Sequence, residues 1–354
     1  MQIEIYNMTV LNDKLNISLE AVCDSFSSLL WDIEYYKCGA FEVYIAASPR
    51  NIEIFQTGRI VGRDDDKEHF GLIESVELET DAEDGDYLII KGRFLMCLLE
   101  RRIIYPTFNF TKLVSYSQIV MNVVQHNACT AGIRKIPGLV VGCSSGSCWN
   151  AKTKLQVSYD NLMEWVYTIC EKIGGTANIR LSKTNNEQYE MIFELSQGTD
   201  RSILQEINPH IIFSDRYNNL LSFTYFTDTS VKKNYAYVLG KGEGEKRKRT
   251  TYFEGTEPSS LERYEVYVDA KDISNEEQEN GETKPLSEEE YSELLKEKGK
   301  QSIVPITMKS ESQIAVQSTQ FQYGVDYFVG DFVTVEHNRF GIRQNKIQLV
   351  GMIE

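Results

Sequence analysis

Apolar and polar residues alternate along much of the chain. Residues 2–10 (QIEIYNMTV), 28–35 (SLLWDIEY) and 40–47 (AFEVYIAA) each place apolar side chains on one face, and Cys38-Gly39 breaks the last two apart. A period of two predicts strands with one face in a core and the other toward solvent or a partner. Similar runs at 59–63 (RIVGR), 72–80 (LIESVELET) and 87–94 (YLIIKGRF) are separated by polar turns rich in aspartate and glycine. Strands this short and evenly spaced predict a small antiparallel barrel.

After residue 94 the period changes. FLMCLLERR (94–102) reads as a short helix, and 115–127 places Ile119, Val120, Val123 and Val124 on one helical stripe. In DNLMEWVYTICEKIGG, Leu162, Trp165, Val166, Ile169 and Ile173 follow helical spacing, Asp160 is the expected N-cap, and Gly174-Gly175 supplies a left-handed stop. TANIRLS and YEMIFELS read as a hairpin, so roughly 103–198 is a mixed α/β unit within a β pattern. Strands return at 211–215, 219–228 and 234–242, and a further pair lies within 249–270, joined through Gly255 and Pro258. The acidic stretch 274–285 lacks periodicity and is expected to be an exposed loop. Ser287 and Glu290 then form a capping box, with Leu286 and Tyr291 as a staple, and open a helix ending before Gly299. Strand patterns close the chain. The expected fold class is mainly β with an α/β insertion (α+β).

Composition narrows the function. The 354 residues are 42% hydrophobic and 25% charged, which excludes wholesale disorder. No run reaches the ~20 apolar residues of a membrane helix, and the opening segment lacks the basic and greasy parts of a secretory signal. Asp+Glu outnumber Lys+Arg by 52 to 37, a net charge of −15, so a general nucleic-acid binder is disfavoured. About six of those negative units fall in 274–298, where nine glutamates face three lysines. Seven dispersed cysteines read as reduced thiols of a cytoplasmically made protein. Cys143 and Cys148 have no second pair to complete a zinc site, and four scattered histidines add none. Neither metal nor cofactor is expected.

Three motifs invite chemistry. Gly142-Cys143-Ser144-Ser145-Gly146 fits G-x-S-x-G, making Ser144 the nucleophile of an alternative reading, a hydrolase. An elbow needs a helix straight after the serine, and SCWNAKTK shows no helical stripe. Gly240 to Gly244, followed by Lys246, Arg247, Lys248 and Arg249, suggests a nucleotide-binding module as second alternative. It matches neither the P-loop nor the dinucleotide spacing, and a glycine-hinged connection fits better. The four cations remain a candidate contact to an acidic neighbour. Asp64 to Asp66 and Asp81 to Asp86 invite calcium, but turn chemistry explains both. With no catalytic constellation, and with aromatics on both faces of the β segments, the chain reads as an assembly protein.

Several segments together resemble one family. Trp31-x-x-Glu34-Tyr35-Tyr36 followed by Cys38-Gly39-Ala40-Phe41-Glu42-Val43 begins the series, and Gly58-Arg59-Ile60, Ile73-Glu74 and Gly92 continue it. Leu98-Leu99-Glu100-Arg101-Arg102, Asp200-Arg201-Ser202, Phe213-Ser214 and Asn219-Leu220 follow in order. Tyr235 to Gly240, Glu265 to Ala270, and Tyr327-Phe328-Val329-Gly330-Asp331-Phe332-Val333 complete it. The series is similar to the tail-hub (baseplate hub or tail-tip hub) proteins of siphophages, prophages and phage-tail-like bacteriocins.

The resemblance implies a virion structural protein, not an enzyme, located in the tail of a phage or tailocin and assembled in the bacterial cytoplasm. It implies a homotrimer whose chains each supply two β-barrel domains, giving a pseudo-hexameric ring. Tail tube or distal tail protein would sit above, and a spike, fibre or cell-wall hydrolase below. DNA would pass the pore without stable binding, and no membrane insertion is expected. Residues 1–104 are then the first barrel, 105–198 the inserted α/β domain, and 199–270 with 303–354 the second barrel. The acidic loop and helix of 271–302 decorate the second barrel, and any hydrolase activity belongs to separate proteins. The residues carried over as structural or assembly candidates are Trp31, Tyr35, Phe41, Arg101, Arg102, Tyr235, Gly240, Gly330, Asp331 and Phe332.

Overall fold

Alternation becomes pleated strand across the first 94 residues. The computed structural model describes all residues except 12–13, 82–84, 131, 185–187, 245–246, 280–281, 305–306, 315–319 and 354. The first stretch forms β1 (Ile3–Leu11), β2 (Lys14–Cys23), β3 (Ser28–Glu34), β4 (Ala40–Ala46), β5 (Ile60–Arg63), β6 (Phe70–Asp81) and β7 (Gly85–Phe94). Between β4 and β5 lies a helix with no expectation behind it, α1 (Pro49–Ile54), capped by the Ser48 hydroxyl. The strands pair antiparallel in the order β2-β1-β5-β6-β7-β4-β3. Their inward side chains, among them Ile3, Ile5, Trp31, Phe41, Val43 and Ile90, form one core. Phe41 fits because Gly71 and Gly92 face its ring; a Cβ at Gly92 would also strike the Leu72 carbonyl.

The middle of the chain adds α2 (Cys97–Glu100), β8 (Phe108–Ser115), α3 (Tyr116–Val124), β9 (Leu139–Ser144), β10 (Lys152–Val157), α4 (Leu162–Ile173), β11 (Thr176–Lys183) and β12 (Tyr189–Ser196). The helix expected over 94–102 shrinks to one turn, because Leu95 donates its N–H to the Phe70 carbonyl and prolongs the ladder of β7. The α3 stripe is buried as expected, and the helix runs on as a π-helical turn, Gln125–Cys129. In α4 the cap is Asn161 instead of Asp160: its Oδ1 accepts the Met163 and Glu164 amides, and its Nδ2 donates to the Glu100 carbonyl. Gly174 closes the helix at φ +74°. β11 and β12 are an antiparallel hairpin, β9 joins β12 in parallel, and β8 pairs with β10. The core of this part also takes in Tyr6, Ile17, Ile60, Phe70 and Leu72, so the first sheet and the α/β insertion share apolar packing.

The remaining strands are β13 (Ile212–Ser214), β14 (Leu220–Asp228), β15 (Tyr235–Leu239), β16 (Arg249–Phe253), β17 (Glu265–Asp269), β18 (Glu276–Glu279), β19 (Glu282–Pro285), β20 (Thr307–Ile314), β21 (Phe332–His337), β22 (Ile342–Gln348) and β23 (Gly351–Ile353), with α5 (Glu288–Gln301) before β20. β16 and β17 do not pair with each other; both flank β15, β17 in parallel. The acidic stretch expected as a loop contains the β18–β19 hairpin, whose backbone pairing needs no apolar face. α5 begins with the Ser287–Glu290 capping box and lays Tyr291, Leu294 and Leu295 on Ala236, Val238 and Val268. β23, expected with the second β unit, instead pairs with β3 and becomes the eighth strand of the first sheet.

Closed barrels do not emerge. Among the described residues no ladder joins β2 to β23 at the two ends of the first sheet, and the strands after residue 199 other than β23 form separate sheets of two or three. One face of β16-β15-β17 is covered by α5, so that part is a two-layer α/β packing.

Candidate functional site

The densest set of sequence candidates meets just beyond β3. Tyr35 donates its backbone N–H to Val350 and accepts the Thr176 hydroxyl on its carbonyl. Its phenol oxygen accepts the Gly198 N–H at 3.0 Å and faces the Gly174 carbonyl at 3.4 Å. The ring lies against Gly330, which sits at φ +98°. The next residue, Asp331, is buried, and its carboxylate accepts the Thr199 N–H (2.7 Å), Arg201 Nε (2.9 Å) and the Phe328 N–H (3.1 Å). Phe332 continues the contact, donating to the Thr199 carbonyl while its own carbonyl accepts the Arg201 N–H. One residue at the end of β3 is thereby bonded to the end of α4, to the segment after β12, and to the residue just before β23.

The electrostatics suit a weld rather than a reaction centre. Burial pushes the Tyr35 hydroxyl far above its ordinary value, so it stays protonated. Burial likewise raises the Cys38 and Cys97 thiols to about 12, which leaves both as unreactive thiols. A cleft of about 370 Å³ opens beside the junction, lined in part by Tyr35, His69, Asn178, Glu194, Gly198 and Asp331.

The other candidates lie apart. Trp31 is fully buried in the first sheet, packed on Phe41 and Phe94, with its Nε1 donating to Asp66 at 3.0 Å. Tyr235 and Gly240 belong to β15 and its hairpin; the Arg263 guanidinium lies 3.5 Å over the Tyr235 ring. Arg101 and Arg102 follow α2, Arg101 exposed and Arg102 donating to the Arg134 carbonyl. Sequence reasoning missed the partners Gly198, Thr199 and Asp66. Asp66 came from a run dismissed as a turn: it takes His69 Nδ1 and two amides as well as Trp31, while Asp65 takes Arg63. In the second acidic run, 82–84 lie outside the described residues.

Ser144 ends β9 in an exposed position, and a four-residue 3-10 turn, Ser147–Asn150, follows in place of an α-helix. The histidines are engaged elsewhere: His69 with Asp66, His210 with Gln205, His337 with Asp215, and His126 against Phe108. The Gly240 loop is the connection of a β-hairpin and spends its amides internally: Gly240 on Lys248, Lys241 on the Tyr291 hydroxyl, Lys248 on Lys241. Its cations find acids within the chain, Arg247 with Asp269 and Lys248 with Glu288, and Lys246 lies outside the described residues. All seven cysteines are free, and among the described residues no three metal-ligating side chains cluster. No described helix is long and apolar enough to cross a membrane.

A family model described as Siphovirus ReqiPepy6 Gp37-like protein matches residues 3–350. No curated protein matches the sequence. Among solved structures, the chain resembles the tail protein from Neisseria meningitidis MC58 (TM-score 0.54, 13% identity, 99% of this chain and 90% of that one). It also resembles prophage tail protein gp18 from Listeria monocytogenes EGD-e (0.53, 11%, 100% and 90%) and the 43 kDa tail protein of prophage MuSo2 from Shewanella oneidensis (0.53, 10%, 100% and 94%). Identities this low speak to the shared fold.

Proposed function

The chain belongs to the Siphovirus ReqiPepy6 Gp37-like family, and from that premise we propose that it is the hub at the tip of a phage tail or phage-tail-like particle. The family and the fold neighbours support a structural role in a tail. The observation that carries the reading is the correspondence of nearly the whole chain with three tail proteins.

In this reading three copies form a ring with pseudo-sixfold character. The first sheet, with residues 1–104 as its main part, and the β strands of 199–270 and 303–354 are the two barrel-like repeats; 105–198 and 271–302 are additions to them. The ring meets tail tube or distal tail protein above and carries a spike, fibre or cell-wall hydrolase below. Assembly takes place in the host cytoplasm. The role is non-enzymatic, and DNA passes without stable binding because a negatively charged conduit repels phosphate.

Native mass spectrometry of the purified chain, alone and with its tube-side partner, tests the ring. A trimer is expected in at least one setting; a strict monomer in both overturns it.

A further inference from the structure

Two exposed patches of opposite character lie at the two ends of β7.

Beyond the C-terminal end, after α2, three arginines converge. Arg102 donates to the carbonyls of Arg134 and Arg101, and Arg134 donates to those of Tyr105 and Ile103. Backbone oxygens thus hold the Arg102 and Arg134 guanidiniums beside the exposed Arg101, and among the described residues none of the three is ion-paired. The adjacent acid, Glu100, is taken by Arg93. Such a cluster is unexpected in a chain of net charge −15. Beside it stand Tyr105 (55% exposed) and Tyr159 (68% exposed), their rings 6.1 Å apart. Tyr159 sits at φ +60°, a backbone region that a bulky residue rarely occupies, and it holds its ring in solvent.

Toward the N-terminal end, the outer face of the first sheet shows the reverse. Tyr44 and Tyr87 stack at 4.6 Å, Ile89 lies across from Tyr44 on one side and Glu77 on the other, and Glu79 pairs across from Tyr87. Glu77 and Glu79 are exposed. A cation on this face, Lys91, is paired with Glu42 at 3.0 Å.

A closed ring built from one kind of chain by head-to-tail contact needs two different, mutually complementary patches on each copy. Tyrosine and arginine are also the residues enriched where protein surfaces meet. Resting on the ring reading above, we propose that the patch of Arg101, Arg102, Arg134, Tyr105 and Tyr159 docks on the acidic aromatic face of Tyr44, Tyr87, Glu77 and Glu79 in a second copy of this chain.

The test is charge reversal read by analytical ultracentrifugation. Arg101 is exposed and makes no ion pair among the described residues, so Arg101→Glu should leave the fold intact; Glu77→Lys with Glu79→Lys likewise changes only exposed positions. Circular dichroism and thermal unfolding check that each variant folds. Each change alone is expected to weaken trimerisation at least tenfold, and the chain carrying both is expected to recover to within about threefold of wild type. A wild-type trimer that the single changes leave untouched, or whose losses add when combined, overturns this docking while the ring stands. A wild-type chain that is monomeric at every concentration, both alone and with its tube-side partner, overturns the ring itself and this contact with it. If Arg101→Glu instead abolishes binding to a 30-base DNA and spares the trimer, the patch serves phosphate and the proposal is wrong.

Discussion

The Tyr35 ring fills the space that a side chain would need at Gly330: a Cβ there would stand 2.2 Å from Tyr35 Cε2. Gly330 also holds φ +98°, so both space and backbone demand glycine. Gly330→Ala is expected to destabilise by about 2 to 4 kcal/mol, the combined range of strained backbone and overpacking. Tyr35→Phe keeps the ring but strands the Gly198 N–H, for about 1 to 2 kcal/mol. Urea denaturation measures both. Equal losses in the two variants would contradict the steric account.

The first-sheet core depends on its largest rings. Trp31→Ala and Phe41→Ala are each expected to cost about 3 to 5 kcal/mol, since both side chains are buried and, at Phe41, the facing Gly71 and Gly92 have no side chain to refill the space. Trp31→Phe should cost less, losing chiefly the bond to Asp66. Tails of normal yield from either alanine variant would show that these positions are not packed.

Acid sensitivity should trace to Asp66. Burial alone would raise this carboxyl, but His69, the Glu68 amide and Trp31 together outweigh it and bring it down to about 2. A depressed carboxyl contributes stability that is complete above the unfolded value of about 3.9 and is lost as pH falls through the folded value. The contribution, roughly 2 kcal/mol, should therefore fade between about pH 4 and pH 2. Stability against pH for wild type and Asp66→Asn checks this: the variant should show a shallower acid slope, and parallel slopes would refute the assignment.

Removing the cap of α5 should have a measurable local effect. Ser287→Ala removes the hydroxyl that accepts the Glu290 N–H, while the backbone N–H of residue 287 stays on the Glu290 carboxylate, and is expected to cost about 1 kcal/mol. Gly240→Ala should cost more, because a Cβ there would meet the Tyr291 hydroxyl at 2.4 Å. Hydrogen exchange along α5 resolves the two, and protection unchanged in Ser287→Ala would speak against the cap.

Ser144 offers a check on the structural role. A serine-reactive probe is expected to leave the protein unlabelled, with wild type and Ser144→Ala alike. Labelling lost in the variant would restore the hydrolase reading.

Local pattern made the individual elements legible, and long-range pairing stayed hidden. The α3 stripe, the Gly174 stop and the Ser287–Glu290 box follow from neighbours a few residues apart, so the sequence displays them directly. Helix 94–102 was misjudged because Leu95 takes a carbonyl from Phe70, a partner that no local window contains. The same limit explains the expected pairing of β16 with β17, which the intervening parallel strand β15 replaces. Tyr35, Gly330 and Asp331 could be nominated as candidates, yet their meeting with Gly198 and Thr199 depends on tertiary packing alone. Arg134 carried no motif and joins Arg101 and Arg102 only through the fold.

The pairing of Met352 with Ile33 sets a clock on biosynthesis. At typical ribosomal speeds of about 5 to 20 residues per second, the partner of β3 emerges roughly 15 to 60 s after β3 itself. Throughout that interval the nascent first sheet presents the outer edge of β3 without its neighbour, a ready template for another chain. Polysomes making this protein would therefore carry sticky, unfinished sheets side by side. Completion of the first sheet waits on the arrival of Gly351–Ile353.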